Sequence, residues 1–249
     1  MAFEKSGNPA LRRTTFSGFE PLAATDQAMT LHGTINKTAI LLTITAITAL
    51  LTFDRIGTVY SFQQVAPFLY TGALGGLVLC VVIVLKGTAA PYLAPVYAAL
   101  EGLFLGSVTA VLEDRFNGIA LQSLLATVGI FVVVMLLYRF EIIKPTERFR
   151  MIVVSATAGL ALYYLLNFAL SFGGIHLPLM HENGVYGILF SLFAIVIASM
   201  NLVLDFEFIR RGAEMRVPKY MEWYGAFSLL VTLVWLYVEI LRLLARRRG

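Results

Sequence analysis

The stretch YGILFSLFAIVIASMNLVLDF, residues 186–206, holds no charged residue before Asp205. At a rise of about 1.5 Å per residue, a helix of this length covers the roughly 30 Å of hydrocarbon in a bilayer. Backbone N–H and C=O groups in lipid must be hydrogen-bonded within their own segment, so a helix is the expected structure. The stretch therefore predicts a membrane-spanning helix with an acidic residue close to one end.

Six more apolar blocks lie along the chain, which is 59% hydrophobic and 14% charged, whereas soluble proteins carry about 25% charged residues. We predict an all-α, polytopic membrane protein: a seven-helix bundle in one transmembrane domain, residues 31–249, after a polar and mobile cytoplasmic leader, residues 1–30. Its main partner is then the lipid bilayer, and the net charge of +4 does not indicate nucleic acid binding. The predicted spans are Ile35–Phe53, Pro67–Leu85, Tyr92–Leu112, Ile119–Tyr138, Met151–Phe172, Tyr186–Phe206 and Met221–Leu244.

The distribution of lysine and arginine predicts the orientation of the chain. Thirteen of these residues lie in the N-terminal leader and the connections on its side, and two, Arg55 and Arg115, lie in the loops between. Because cytoplasmic loops carry the excess of positive charge, we predict a multi-pass inner-membrane protein with a cytoplasmic N-terminus. Seven crossings place the arginines at 246–248 outside, against this rule. Six crossings and a re-entrant last segment are the alternative, but residues 221–244 are long enough to cross.

Two acids in the predicted spans, Glu101 and Asp205, are candidates for function. The rise per residue puts Glu101 about 14 Å into its span, near the midplane, and Asp205 about 28 Å across, near the inner boundary. An ionised acid at the bilayer centre costs at least about 2.5 kcal/mol, so Glu101 is expected to face the bundle interior. The structural alternatives are a protonated Glu101 bonded between helices and an Asp205 that lies in headgroup water.

The remaining polar residues of the spans have less specific interpretations. Glu222 is expected at the inner interface, and Glu239 is expected to pair with Arg242 three residues later. Asn201 lies one turn before Asp205 and shares its helix face. Because the spans contain no nucleophile–base pair, we predict no enzymatic activity and no cofactor. A loop cluster of His176, His181 and Glu182 is a weak metal pattern, and we predict no metal site there.

Five segments in their order resemble the Bax inhibitor-1 family, and its bacterial YccA-like branch most closely. The resemblance extends from about Met29 to Leu244, and the leader motif GNPALRRTTF fits that branch as well. The segments are NKTAILLTITAITAL, LEGLFLG, LNFAL, NLVLDFEFI and KYMEWYGAFSLLVTLVWLYVEILRLL. The resemblance implies a seven-helix bundle in which the last helix is surrounded by the other six.

The resemblance also implies a site. Family members are described as calcium-leak or cation-conducting proteins with a proton-sensitive pair of aspartates, and as regulators of cell death or membrane proteolysis. The first aspartate matches Asp205, and the second position falls on Thr232, which carries no charge. Glu239 matches that position only with an insertion, which leaves Glu101 and Glu222 as alternative partners for Asp205.

Two functional hypotheses follow from the residues and the resemblance. The first is a pH-responsive pathway for cations, calcium in particular, in which Asp205, Glu101 and Glu222 sense protons beside Asn201, Thr232 and Glu239. Two carboxyls in one low-dielectric site cannot both ionise cheaply, so protons would change their pairing. The second is a non-conducting regulator that binds another membrane protein, such as an AAA-type membrane protease, through its leader and cytoplasmic loops.

The predicted orientation can be tested with reporters fused to each end of the chain. We expect a reporter before Met1 to be cytoplasmic and a reporter after Gly249 to be external, because seven crossings put the two ends on opposite sides. A cytoplasmic signal from the C-terminal fusion would contradict the seventh crossing.

Overall fold

The computed structural model describes residues 28–56, 62–171 and 184–249. These residues form seven α-helices, each long and apolar enough to cross a membrane, which confirms the prediction of an all-α, seven-span membrane protein. The helices are α1 Leu31–Ile56, α2 Phe62–Leu85, α3 Ala90–Arg115, α4 Ile119–Arg139, α5 Glu147–Ser171, α6 Val185–Glu214 and α7 Met221–Arg248. The predicted leader and the histidine loop cluster, His176, His181 and Glu182, lie largely or wholly outside the described residues.

The two ends of the bundle are marked by contacts between distant segments. At the end where α1 begins, called here the N-terminal end, Ala28 forms a β-bridge with Pro218, and the Met29 N–H donates to the Val217 carbonyl at 2.7 Å. At the opposite end, the Arg248 guanidinium donates to the Asn117 carbonyl at 2.9 Å. Helix α7 therefore runs from the N-terminal end to the connection between α3 and α4.

Helices α1 and α3 approach each other closely because α3 presents glycines to α1. A Cβ on Gly102 would lie 2.6 Å from the Thr45 carbonyl oxygen, and a Cβ on Gly106 would lie 2.8 Å from the Thr52 Cβ. The Thr45 hydroxyl donates to the Ala98 carbonyl at 3.0 Å, which adds a polar contact to this interface. Small residues and hydroxyl bonds of this kind are the usual means by which helices associate in membranes.

The last helix, α7, packs against α1, α3, α4 and α6. A hydrogen bond of 2.8 Å from the Tyr164 hydroxyl to the Glu239 carboxylate also joins it to α5. The expectation that all six other helices surround α7 comes from the family resemblance and stays a prediction.

The helix boundaries differ from the predicted ones, and two of the differences change how residues of the spans are interpreted. Helix α2 begins at Phe62, so that Pro67 lies in its second turn. Helix α6 continues from Phe206 to Glu214, so that Asp205 lies more than two turns inside the helix. Asp205 is 6% exposed and buried by protein, which excludes the alternative of a helix-end acid in headgroup water.

The close approach of α1 and α3 predicts that Gly102→Ala destabilises the protein. The added methyl group would overlap backbone and threonine atoms of α1, and overpacking of this kind costs about 1–3 kcal/mol. Thermal unfolding in detergent measures the effect. Gly129→Ala in α4 is the matched control, because a Cβ there meets nothing within 4 Å. Equal unfolding temperatures for the two variants would contradict this packing.

Candidate functional site

Asp205 is buried between the last two helices and is held by two hydroxyl groups of α7. The Ser228 hydroxyl donates to Oδ1 and the Thr232 hydroxyl donates to Oδ2, each at 2.6 Å. Among the residues that the structure describes, Asp205 has no ion pair with a lysine, arginine or histidine. The site is thus a buried acid whose hydrogen-bond donors are neutral.

These residues belong to two facing stripes of side chains, called here the polar seam. On each helix the members recur at alternating steps of four and three residues, which places them on one helix face. At the opposite end, Arg246 Nη1 donates to the Gly187 carbonyl at 2.5 Å and to Ser191 Oγ at 2.7 Å. The seam consists of Gly187, Ser191, Ala194, Ala198, Asn201 and Asp205 on α6, and of Ser228, Thr232, Trp235, Glu239, Arg242 and Arg246 on α7.

Asn201 extends the polar contacts of the seam to α5. Its Nδ2 donates to Thr157 Oγ1 at 2.7 Å and to the Ile197 carbonyl at 2.9 Å. Because Asn201 lies one turn before Asp205, the polar contacts of α6 extend along the helix from the acid to the amide. The expectation that Asn201 shares a face with Asp205 therefore agrees with their common burial in the seam.

Glu101 lies in a different part of the bundle, at the contact between α2 and α3. A Cβ on Gly76 of α2 would lie 2.8 Å from Glu101 Oε1, so the glycine makes room for the carboxyl group. Tyr97, one turn earlier, lies edge-on to Phe227 with a ring-centroid separation of 4.9 Å. Phe227 in turn contacts Tyr224, and these aromatic rings stand between Glu101 and the seam. No hydrogen bond joins Glu101 to Asp205 within the described residues.

Glu222 is fully buried at the N-terminal end and is engaged by α1. It forms an ion pair with Lys37, and its Oε1 accepts hydrogen bonds of 2.9 Å from both the backbone N–H and the hydroxyl of Thr30. Thr30 Oγ1 also accepts from the Gly33 N–H, as the N-cap of α1 does. Glu222 thus fastens the start of α1 to α7, and its carboxylate bonds to α1 rather than pairing with Asp205.

Glu239 lies at the opposite end of the seam. Its Oε1 accepts from Tyr164 at 2.8 Å and from Arg242 Nη1 at 2.9 Å, so the expected pair with Arg242 is present. The Glu239 carboxylate is buried rather than on the outer surface, however, whereas the Arg242 side chain is partly exposed. Its second carboxylate oxygen, Oε2, has no hydrogen-bond partner among the described residues.

Sequence reasoning missed Glu207, which is 2% exposed and anchors a cluster at the N-terminal end. Its carboxylate accepts from the Tyr138 hydroxyl at 2.8 Å and from Arg210 Nη2 at 2.9 Å, and it is paired with Arg211. The signal was present in the sequence as a glutamate followed by arginines at i+3 and i+4. The cluster joins α4 to α6 and holds the end of α6 in helical form.

The family model described as Bax inhibitor 1 like matches residues 8–249 of the chain. The chain belongs to this Bax inhibitor 1 like family. No curated protein sequence matches it. The family resemblance stated from the motifs is therefore confirmed, whereas assignment to the YccA-like branch stays a prediction. In this Bax inhibitor 1 like protein, the position expected for the second aspartate, Thr232, donates a hydrogen bond to Asp205. An acid–hydroxyl contact thus stands where the resemblance implied a pair of acids.

The ion pair at the start of α1 predicts a large effect of Lys37→Met on stability. The substitution would leave the Glu222 carboxylate buried without its cation, which costs about 3 kcal/mol or more for a buried pair. Adding Glu222→Gln should recover part of the loss, because the amide is neutral and its oxygen still accepts from Thr30. Lys144→Met is the control, since its pair with Glu141 is exposed and contributes little. Unfolding temperatures in detergent measure all three, and a double variant less stable than Lys37→Met would contradict the pair's role.

Proposed function

We propose that this membrane protein provides a pH-responsive pathway for cations, with calcium as the expected ion, and that Asp205 is its proton-sensing residue. The observation that carries the proposal is the burial of Asp205 in a membrane-spanning helix with hydrogen bonds only from Ser228 and Thr232 among the described residues. Ionisable groups inside membrane spans usually serve ion or proton movement. No catalytic step is part of the proposal.

The two hydroxyls suit a residue that gains and loses a proton. A hydroxyl can donate to a carboxylate, and it can rotate to accept a hydrogen bond from a protonated carboxyl group. When Thr232 accepts in this way, its own proton has an alternative acceptor in the Ser228 carbonyl, which lies 3.3 Å from Thr232 Oγ1. The site can therefore hold either charge state of Asp205 without leaving a hydrogen bond unmade.

Protonation of Asp205 would act on the packing of the last two helices. The acid belongs to α6 and its hydrogen-bond donors belong to α7, so a change in these bonds alters the contact between the two helices. Loss of the negative charge also removes a buried site that attracts cations. Glu101, on the other side of Tyr97 and Phe227, is a separate acid in this proposal and not a member of one dyad with Asp205.

Calcium flux from reconstituted vesicles tests this function across about pH 5 to 8, where buried carboxyls can titrate. We expect a pH-dependent flux in the parent and a flux that no longer responds to pH in Asp205→Asn. Thr232→Val should change the pH at which the response occurs, because it removes one hydrogen bond to the carboxylate. Glu141→Gln, an exposed acid in a loop, is the matched control.

The decisive comparison uses the double variant Glu101→Gln, Asp205→Asn. If vesicles that contain it release calcium at every pH as the parent does, neither acid senses protons for this pathway.

A regulatory function is the second candidate, and the docking of Ala28 and Met29 on the turn between α6 and α7 favours it. Met29 is 2% exposed, and its sulfur lies against Gly212, so that the leader joins the bundle at this turn. A partner such as a membrane protease that engages residues 1–27 would then act directly on the two helices that hold Asp205.

Deletion of residues 1–27 distinguishes the two functions. The bundle contacts of residues 28–30 are retained, so we expect unchanged ion flux in vesicles if the chain is a cation pathway. Loss of protease regulation in cells with unchanged flux would favour the regulatory function.

A further inference from the structure

Three buried polar atoms near the end of the seam that holds Glu239, two on α7 and one on α5, have no hydrogen-bond partner within the described residues. They are Glu239 Oε2, the Trp235 indole Nε1 and the Tyr163 hydroxyl oxygen. An unpaired polar group in an apolar surrounding costs roughly 1–3 kcal/mol by protein mutational data, and native structures contain few of them. Three unpaired polar atoms in one region therefore indicate a bound ligand.

Contacts with Tyr164 and Phe190 link the three side chains at the junction of α5, α6 and α7, called here the wedge. Trp235 and Glu239 are one turn apart on the seam face of α7, and the Tyr164 hydroxyl bonds to Glu239 from α5. The rings of Tyr163 and Tyr164 are 6.2 Å apart, and Tyr163 also contacts Phe190 of α6 with a centroid separation of 5.2 Å.

The chemistry of these atoms identifies the ligand class as water. The carboxylate oxygen only accepts a hydrogen bond, the indole N–H only donates one, and the tyrosine hydroxyl does both. Water donates two and accepts two, and so it can satisfy all three. A calcium ion fits poorly, because Arg242 shares the Glu239 carboxylate and Arg246 lies within electrostatic range of it.

The seam connects this wedge to Asp205. Between them lie Asn201, which is bonded to Thr157, and Thr232, which bonds to Asp205 itself. On the other side of Asp205, toward the N-terminal end, Phe208, Tyr224 and Phe227 are buried in one hydrophobic cluster. Hydrogen-bonded polar groups therefore lie on the side of Asp205 that faces the opposite end of the bundle, whereas the side chains of this cluster lie toward the N-terminal end.

We propose that the wedge beside Glu239, Trp235 and Tyr163 is a built site for internal water, and that it forms the vestibule through which water reaches Asp205 from the end of the bundle opposite the N-terminus. The water site is inferred from the unpaired atoms alone. The vestibule rests on the proposed cation pathway, of which it would be the half farther from the N-terminal end.

The sign of a stability change tests the water site. Tyr163→Phe removes only the hydroxyl group. If that hydroxyl binds water, its loss removes a hydrogen bond, and we expect an unfolding temperature lower by about 2 °C or more. If the site holds no water, we expect a higher unfolding temperature for Tyr163→Phe, because an apolar ring would replace an unpaired polar group. Tyr164→Phe is the matched control, since it loses a direct bond to Glu239 and should be destabilised in either case. An unfolding temperature of Tyr163→Phe equal to or above that of the parent overturns the proposal.

Radiolytic hydroxyl-radical labelling of the full chain in nanodiscs gives an independent measurement, because radicals formed from ordered water oxidise the side chains that it touches. We expect Trp235 and Tyr163 to be labelled, and Trp235 labelling to fall in Tyr163→Phe. Tyr97 and Phe227, buried in the hydrophobic cluster, are the internal controls and should stay unlabelled. Trp235 labelling no greater than that of Phe227 overturns the water site.

Calcium flux separates the vestibule from the proposed function. The double variant Tyr163→Phe, Trp235→Phe should lower the flux several-fold while the remaining flux still responds to pH through Asp205. A pH-responsive flux that the double variant leaves unchanged overturns the vestibule and leaves the proposed function standing. If the parent protein shows no calcium flux, both the proposed function and the vestibule are overturned. The labelling experiment then still tests whether water binds in the wedge.

Discussion

The structure depends on the contact between one acidic residue and two hydroxyls in a region without bulk water. Asp205 on α6 accepts from Ser228 and Thr232 on α7, and the remaining seam residues keep the two helices in antiparallel register up to Arg246. A carboxylate surrounded only by hydrocarbon would be very unfavourable, so its hydrogen bonds fix which faces of α6 and α7 meet. Asp205 is for this reason both a packing element and the candidate sensor.

The buried acids of the bundle differ in the partners that hold them. Glu222 is paired with a lysine and Glu207 with arginines, and such pairs favour the ionised acid. The Glu222 pair joins α7 to α1, whereas Glu207 joins α6 to α4 through the Tyr138 hydroxyl. Asp205 has only hydroxyl partners in the described part of the chain, which tolerate both charge states. The replacement of an expected second acid by Thr232 thus simplifies the site to one titratable group, while the contact between α6 and α7 is retained.

The sequence predicted the seven helices well because each apolar block is as long as the bilayer is thick. The end of α6 was predicted too early, since the residues after Phe206 are polar but continue the helix to Glu214, held by the pairs of Arg210 with Glu207 and Glu214. The partners of Glu222 could not be predicted, because Lys37 and Thr30 lie far away in the chain and no local pattern encodes the contact between α1 and α7. The seam could have been predicted in part, since the residues from Ser228 to Arg246 repeat at steps of four and three, a pattern that indicates one helix face.

The central claim is that Asp205 changes its charge within the folded bundle. Infrared difference spectroscopy of the protein in bilayers, recorded as the pH is lowered from about 8 to 5, observes carboxyl protonation directly. The account predicts that the parent gains a protonated carboxyl band, characteristic of a hydrogen-bonded and buried acid, which is missing from Asp205→Asn. Identical difference spectra for the two proteins would contradict it.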